Sequence, residues 1–193
     1  LKDASVSLCI MDINGEKIIG INEDKMLVPA SNMKLISTGA ALHELGPDFR
    51  FMTEIQYDGE IKDGTLHGNL YIKGGADPTL GSKDTIATSL ETTFHQWKML
   101  LDDAGIEKIE GAVVGDGSWL NGMSEEPSWM WNDIGTYYGS GVTGLMFYEN
   151  MQSFNVSPGT EEGSPVNIRP SYPDTPWMEF RYNCTTGEKG TGD

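Results

Sequence analysis

Between Val28-Pro29-Ala30 and the stop signal Gly46-Pro47, the interior residues Met33, Leu35, Ile36, Gly39, Ala40, Ala41 and Leu42 are apolar or small nearly all round. The spacing predicts a helix over residues 31–45, with Ser31 as candidate N-cap and Gly46-Pro47 ending it. A helix without a polar face is a buried helix, so a chain carrying one needs a packed layer around it. Thr38-Gly39-Ala40 lower helix propensity, which points to close neighbours. Upstream, residues 5–12 alternate about Val6, Leu8 and Ile10. Asn14-Gly15 then gives a type I′ turn signal and residues 17–21 return, the pattern of a β-hairpin.

Charge is uneven along the 193 residues. Residues 1–50 hold five Lys/Arg and seven Asp/Glu, net −2, whereas residues 51–193 hold eight and twenty-two, net −14. That shift predicts a boundary near residue 50. The total of −16 excludes electrostatic binding to nucleic acid or to an anionic membrane face as the main activity. With 38% hydrophobic and 22% charged residues the chain is globular rather than disordered. Its 24 glycines and nine prolines call for many turns. No apolar run reaches membrane-spanning length and no signal peptide precedes Leu1, as a processed chain would also show. Cys9 and Cys184 are too few for a disulfide framework, and their pairing stays open. His43, His67 and His95 match no metal-ligand spacing, so no metal or cofactor is expected.

Beyond residue 50, strands are predicted over 51–57 and 66–73, joined through Asp58-Gly59 and Asp63-Gly64. A loop from Gly74-Gly75-Ala76-Asp77-Pro78 leads to an amphipathic helix over 84–104 and a strand over 108–114. Residues 115–144 form a long Trp- and Gly-rich loop. Residues 145–149 and 152–157 look like a hairpin, with a short strand at 166–168. This part reads as α+β with mostly antiparallel strands.

The chemistry candidate is Ser31-Asn32-Met33-Lys34. Serine and lysine three apart on a helix share a face, with Cβ atoms about 5–6 Å apart. The positive end of the helix dipole favours a developing oxyanion beside Ser31. A lysine in a dry site can lose its proton near neutral pH and activate an adjacent hydroxyl. About one such S-x-x-K spacing arises by chance in a chain of this length, so the motif gains weight from its context. It follows a hairpin, opens an apolar helix, and occurs once.

The run Pro29-Ala30-Ser31-Asn32-Met33-Lys34-Leu35-Ile36-Ser37-Thr38-Gly39, with Leu45-Gly46-Pro47-Asp48-Phe49-Arg50, resembles the active-site helix of the class C low-molecular-mass penicillin-binding proteins. These are the D-alanyl-D-alanine carboxypeptidase/endopeptidase family. The likeness continues through Gly68-Asn69-Leu70, Gly75-Ala76-Asp77-Pro78, Val114-Gly115-Asp116, Trp129-Met130-Trp131-Asn132-Asp133, Tyr137-Tyr138-Gly139 and Thr185-Thr186-Gly187. It implies an α/β penicillin-binding (serine β-lactamase-like) catalytic domain, of which residues 1–50 are the N-terminal part. A mostly antiparallel α+β inserted domain would follow over residues 51–193 and stop short, making the chain a fragment. The resemblance further implies peptidoglycan stem peptides as substrate, β-lactams as inhibitors and an envelope location, periplasmic or outward-facing. Ser31 and Lys34 would be catalytic. Asp133 would receive the free amine of the stem residue, and Tyr138 would line the same pocket, a carboxylate and an aromatic wall suiting an ammonium group.

Departures from the family pattern matter equally. The family's centre combines S-x-x-K, S-x-N and K-[ST]-G, and only the first is matched in context. Ser153-Phe154-Asn155 fits S-x-N by letter but lies in a strand pattern, and Thr185-Thr186-Gly187 lacks the lysine. Trp129, Trp131, Tyr137 and Tyr138 are most simply the packing of a long loop. Asp77 reads as a turn residue and His43 as a packed or surface residue. The glycine pairs lack a following Gly-Lys-[Ser/Thr], so no phosphate loop is expected. Two functions from different classes remain: a serine-type D-Ala-D-Ala carboxypeptidase, with this fragment itself inactive, or a non-catalytic peptidoglycan-binding or scaffold protein that keeps the fold.

Overall fold

Two short, largely apolar stretches form the first two strands, β1 (Leu8–Met11) and β2 (Lys17–Ile21), which pair antiparallel with Leu8 opposite Ile21. The connection differs from a type I′ turn: Gly15 takes a left-handed φ of 86° while Asn14 does not. Asp12 explains why. Its Oδ1 accepts the Asn14 and Glu16 backbone N–H groups at 2.9 and 2.8 Å, closing a longer loop in place of the two-residue one.

The computed structural model describes residues 3–191, divided into two units, Leu1–Arg50 and Phe51–Asp193. In the first, a 3-10 turn at Ala30–Asn32 leads into α1 (Met33–Leu45). Gly46 ends the helix at φ 80°, and its N–H reaches the Leu42 carbonyl. The apolar helix was expected to be buried, and here it is not. No residue of α1 is buried, and Leu35 is 75% exposed. One ribbon and one helix make too few layers to enclose either face.

In the second unit, β3 (Glu54–Tyr57), β4 (Glu60–Lys62), β5 (Thr65–His67) and β6 (Leu70–Lys73) come from the region read as two strands. The predicted strand over 66–73 breaks at Gly68-Asn69. There Asp58 Oδ1 accepts the Asn69 N–H at 2.6 Å, and Oδ2 accepts the Tyr71 hydroxyl at 2.6 Å. Gly68 passes so close that a Cβ would sit 2.2 Å from the Asp58 carbonyl oxygen.

Helix α2 (Leu90–Asp103) begins later than residue 84, because Ser89 caps it by accepting the Thr92 N–H at 3.2 Å. It carries the chain across to β7 (Lys108–Ile109) and β8 (Val113–Asp116), which lie parallel to β5 and β6. The resulting sheets run β3-β6-β8 and β4-β5-β7. Parallel pairing through a helical crossover is a βαβ arrangement, so the unit mixes antiparallel and parallel ladders. Leu66, Leu70, Ile106 and Met146 form its buried apolar centre.

The hairpin expected over 145–157 is replaced by a left-handed turn. Tyr148, Glu149 and Asn150 have φ of 50°, 49° and 55°, a conformation costing roughly 1–2 kcal/mol for each non-glycine residue. Surrounding bonds hold it: Tyr148 N–H to the Leu80 carbonyl, and Asn150 Nδ2 to the Gly141 carbonyl at 2.8 Å. Strand β9 (Ser153–Ser157) pairs instead with β10 (Asn167–Tyr172), longer than the strand read at 166–168. Among the described residues, no helix is long and apolar enough to cross a membrane.

Candidate active site

Ser31 lies in the 3-10 turn that precedes α1, and Lys34 is the second residue of α1 itself. The role foreseen for Ser31 as an N-cap is not what the chain does. Asn32 occupies that position with helical φ and ψ and makes no side-chain cap bond. Ser31 Oγ is thereby left to its neighbour: Lys34 Nζ donates to it at 3.3 Å. Ala30, just before the serine, has a positive φ of 45°. A non-glycine residue in that region is held there by its surroundings.

The helix also anchors the lysine from behind. Thr38 Oγ1 and Ser37 Oγ donate back to the Lys34 carbonyl at 2.5 and 3.3 Å. Such back-bonding ties a mid-helix hydroxyl to the preceding turn. Sequence reasoning read Thr38 only as a small residue admitting a neighbour. The signal it passed over was a pair of hydroxyls three and four positions after the lysine. Ser31 and Lys34 are both exposed.

Asp133 and Tyr138 belong to the other unit, on two short 3-10 turns, Trp131–Asp133 and Tyr137–Gly139. Asp133 Oδ2 accepts the Met130 N–H at 3.3 Å, and the Asp133 carbonyl accepts Thr136 Oγ1 at 2.5 Å. Among the described residues, no hydrogen bond reaches Asp133 Oδ1. Tyr138 is 58% exposed and meets Tyr137 edge to face at 5.0 Å. The two turns are therefore adjacent, with a carboxylate on one and exposed rings on the other.

The remaining candidates have local roles. Asp77 Oδ1 accepts the Thr79 N–H and hydroxyl at 2.9 and 2.7 Å, a turn contact. Ser153 begins β9 and its Oγ lies 2.9 Å from the Tyr148 hydroxyl. His43 is an exposed residue in the last turn of α1. Cys9 and Cys184 are free and exposed.

Comparison with known proteins adds to this geometry. The sequence model of the D-Ala-D-Ala carboxypeptidase 3 (S13) family matches residues 1–189. The D-alanyl-D-alanine carboxypeptidase of Actinomadura sp. (strain R39) is 27% identical over 181 residues, covering 87% of this chain and 31% of that protein. The D-alanyl-D-alanine carboxypeptidase DacB of Haemophilus influenzae is 27% identical over 176 residues, covering 88% and 34%. The crystal structure of penicillin binding protein 4 (dacB) from Haemophilus influenzae superposes with a TM-score of 0.68 at 26% identity, over 82% of this chain and 33% of that one. A second structure of that protein, complexed with a novel beta-lactam, gives a TM-score of 0.59 at 23% identity and bears on fold alone. The fold is that of a penicillin-binding protein over the matched region. The chain spans 30–34% of the length of the curated relatives it matches.

Proposed function

The chain belongs to the D-Ala-D-Ala carboxypeptidase 3 (S13) family, and from that premise we propose that Ser31 is the nucleophile of a serine-type carboxypeptidase acting on peptidoglycan stem peptides. The observation that carries the reading is the 3.3 Å contact between Ser31 Oγ and Lys34 Nζ. At that distance the lysine amine, in its neutral form, can take the hydroxyl proton as the serine attacks. Ser31 Oγ attacks the carbonyl carbon of the penultimate D-alanine, and its proton passes to Lys34. Collapse of the tetrahedral intermediate breaks the peptide bond, and the terminal D-alanine leaves with that proton on its amine. Water then cleaves the acyl ester and restores Ser31.

The developing oxyanion needs donors. The Ser31 N–H, near the start of α1, supplies one. The second belongs to a K-[ST]-G strand in the family pattern, and no such triplet occurs in these 193 residues. We assign it to the full-length protein, with residues 1–50 contributing to the catalytic domain and residues 51–193 to the inserted domain. Asp133 receives the ammonium group of the stem peptide beside the ring of Tyr138. β-Lactams acylate the same serine, and the protein acts in the cell envelope, periplasmic or outward-facing.

The test is intact-mass measurement of the full-length protein after incubation with penicillin, beside Ser31→Ala. One adduct is expected on the parent and none on the variant. An equal mass gain on Ser31→Ala would remove Ser31 from the role.

A further inference from the structure

A cavity of about 760 Å³ opens in the second unit beside the end of β10, within the roughly 300–1,000 Å³ of ordinary ligand sites. Phe94 on α2, Phe147, Tyr172, Trp177 and Met178 supply an almost wholly apolar wall. Several of these side chains are open to solvent: Trp177 is 77% exposed, Phe94 50% and Met178 49%. Large aromatic and methionine side chains gathered in the open mark a surface that gains by being covered.

The wall is held in shape by its own polar residues. Gln152 is fully engaged, donating to the Pro173 and Ser153 carbonyls at 3.1 Å each and accepting from Thr175 Oγ1 at 3.0 Å. The left-handed turn at Tyr148–Asn150 sets one side. Its Asn150 amide nitrogen is committed to the Gly141 carbonyl and Thr143 Oγ1. Three consecutive non-glycine residues with positive φ are costly, and such backbone gathers where a site is held in a fixed form.

The charge on the lining is of one sign. Among the described residues, no hydrogen bond or ion pair engages the Asp174 carboxylate, and none reaches Asn150 Oδ1. Both lie on the cavity lining. Lys83, the neighbouring cation, stands instead over the Tyr172 ring at 4.1 Å and the Tyr148 ring at 5.6 Å. The one charged side chain on the lining is therefore an anion, on a unit of net charge −14 by its eight basic and twenty-two acidic residues. An anionic partner is repelled by that field, and so is a second copy of this chain.

We propose that this cavity is a docking site for a basic peptide segment of a partner protein, which inserts an apolar side chain against Trp177 and Phe94 and sets a lysine or arginine beside Asp174. The site uses none of the acyl-serine chemistry. A buried aromatic or aliphatic anchor gives the affinity and the charge pair gives the selection.

The experiment measures binding of a dye-labelled Leu-Lys-Phe-Lys-Leu peptide to the full-length protein by fluorescence anisotropy, with Leu-Glu-Phe-Glu-Leu as counterpart. The lysine peptide should bind at least about tenfold more tightly, with affinity falling as salt rises. Trp177→Ala should weaken it by about tenfold and Trp177→Phe by much less. Asp174→Asn should weaken it by about threefold, the scale of a solvent-exposed pair. Equal binding of the two peptides overturns the proposal. So does unchanged affinity in Trp177→Ala, or no binding of the lysine peptide, including the case in which another part of the full-length chain fills the cavity. No acylation enters the readout, so these failures are distinct from failure of the serine mechanism.

Discussion

Lys34 Nζ stands 3.3 Å from Ser31 Oγ, and the Lys34 carbonyl is held in turn by Thr38 Oγ1 at 2.5 Å. The serine sits on the tighter 3-10 turn and the lysine on the regular helix that follows. Three positions apart, the two side chains share a face, and the end of the lysine stem reaches the hydroxyl. The two hydroxyl bonds to its carbonyl tie the Lys34 backbone to the next turn, and the proposed proton transfer needs the lysine held in place in this way.

In the proposed mechanism, removing Lys34 costs rate and not fold. Lys34→Ala is expected to slow penicillin acylation of the full-length protein by about 10²–10⁴-fold, the usual loss for a positioned acid–base group. Lys34→Arg should fare no better, because a guanidinium does not deprotonate in proteins. Lys34 is exposed in this unit, so neither change should move the melting temperature by much. Near-parental acylation by either variant sinks the assignment.

A second expectation concerns residues 1–193 expressed alone. In the proposed mechanism Ser31 has one oxyanion donor in its own N–H, and no K-[ST]-G triplet occurs in these 193 residues to provide another. Loss of one such donor costs about 10²–10³-fold in kcat. D-Alanine release by this chain should be undetectable beside the full-length protein. Comparable turnover would direct attention to Ser153-Phe154-Asn155 as a substitute.

Legibility followed the range of the interactions. Period-two alternation gave the first hairpin, and the serine–lysine spacing gave a pair that meets in space. Local chemistry one step finer was missed: Asp12 takes over a turn that Asn14-Gly15 suggests, and Asn32 takes the cap position from Ser31. Pairing across a helix was missed for a different reason. Which strand lies beside β6 depends on a crossover through α2, and short apolar runs such as Val113-Val114 look alike in parallel and antiparallel company. The turn at Tyr148–Asn150 had no signal beyond the tolerance of asparagine for positive φ. Burial of α1 was read from its composition, but burial needs covering layers that these fifty residues do not contain.

Acid should loosen the second unit through Asp58. The Asn69 N–H, then the Tyr71 hydroxyl and the Asn69 amide, hold its carboxyl below the ordinary value of 3.8. A depressed carboxylate contributes stability that is present above its unfolded value and lost as pH falls through the folded one. Urea midpoints should therefore decline below about pH 4 and less steeply in Asp58→Asn. The hydroxyl partner works in reverse. Tyr71 is raised above 10.0, chiefly by its bond to Asp58, so that contribution is present at neutral pH and lost only on strong alkalinisation. Identical acid slopes for the two proteins would show that the Asp58 cluster carries no linkage.

The core itself offers a sharper contrast. Leu66 has 0% of its surface exposed and sits on the middle strand of β4-β5-β7, opposite Ile61 on one side and Ile109 on the other. Neighbours on both flanks are fixed by backbone ladders, so they cannot collapse into a space left by truncation. Leu66→Ala should cost about 2–5 kcal/mol, the transfer of the lost methyl groups plus the cavity. Ile86 lies in the same unit but is 82% exposed, and Ile86→Ala should stay within about 0.5 kcal/mol. All five tryptophans lie between residues 97 and 177, so their fluorescence during urea unfolding reports on this unit. Equal shifts in midpoint for the two variants would mean that Leu66 is not the packed centre described here.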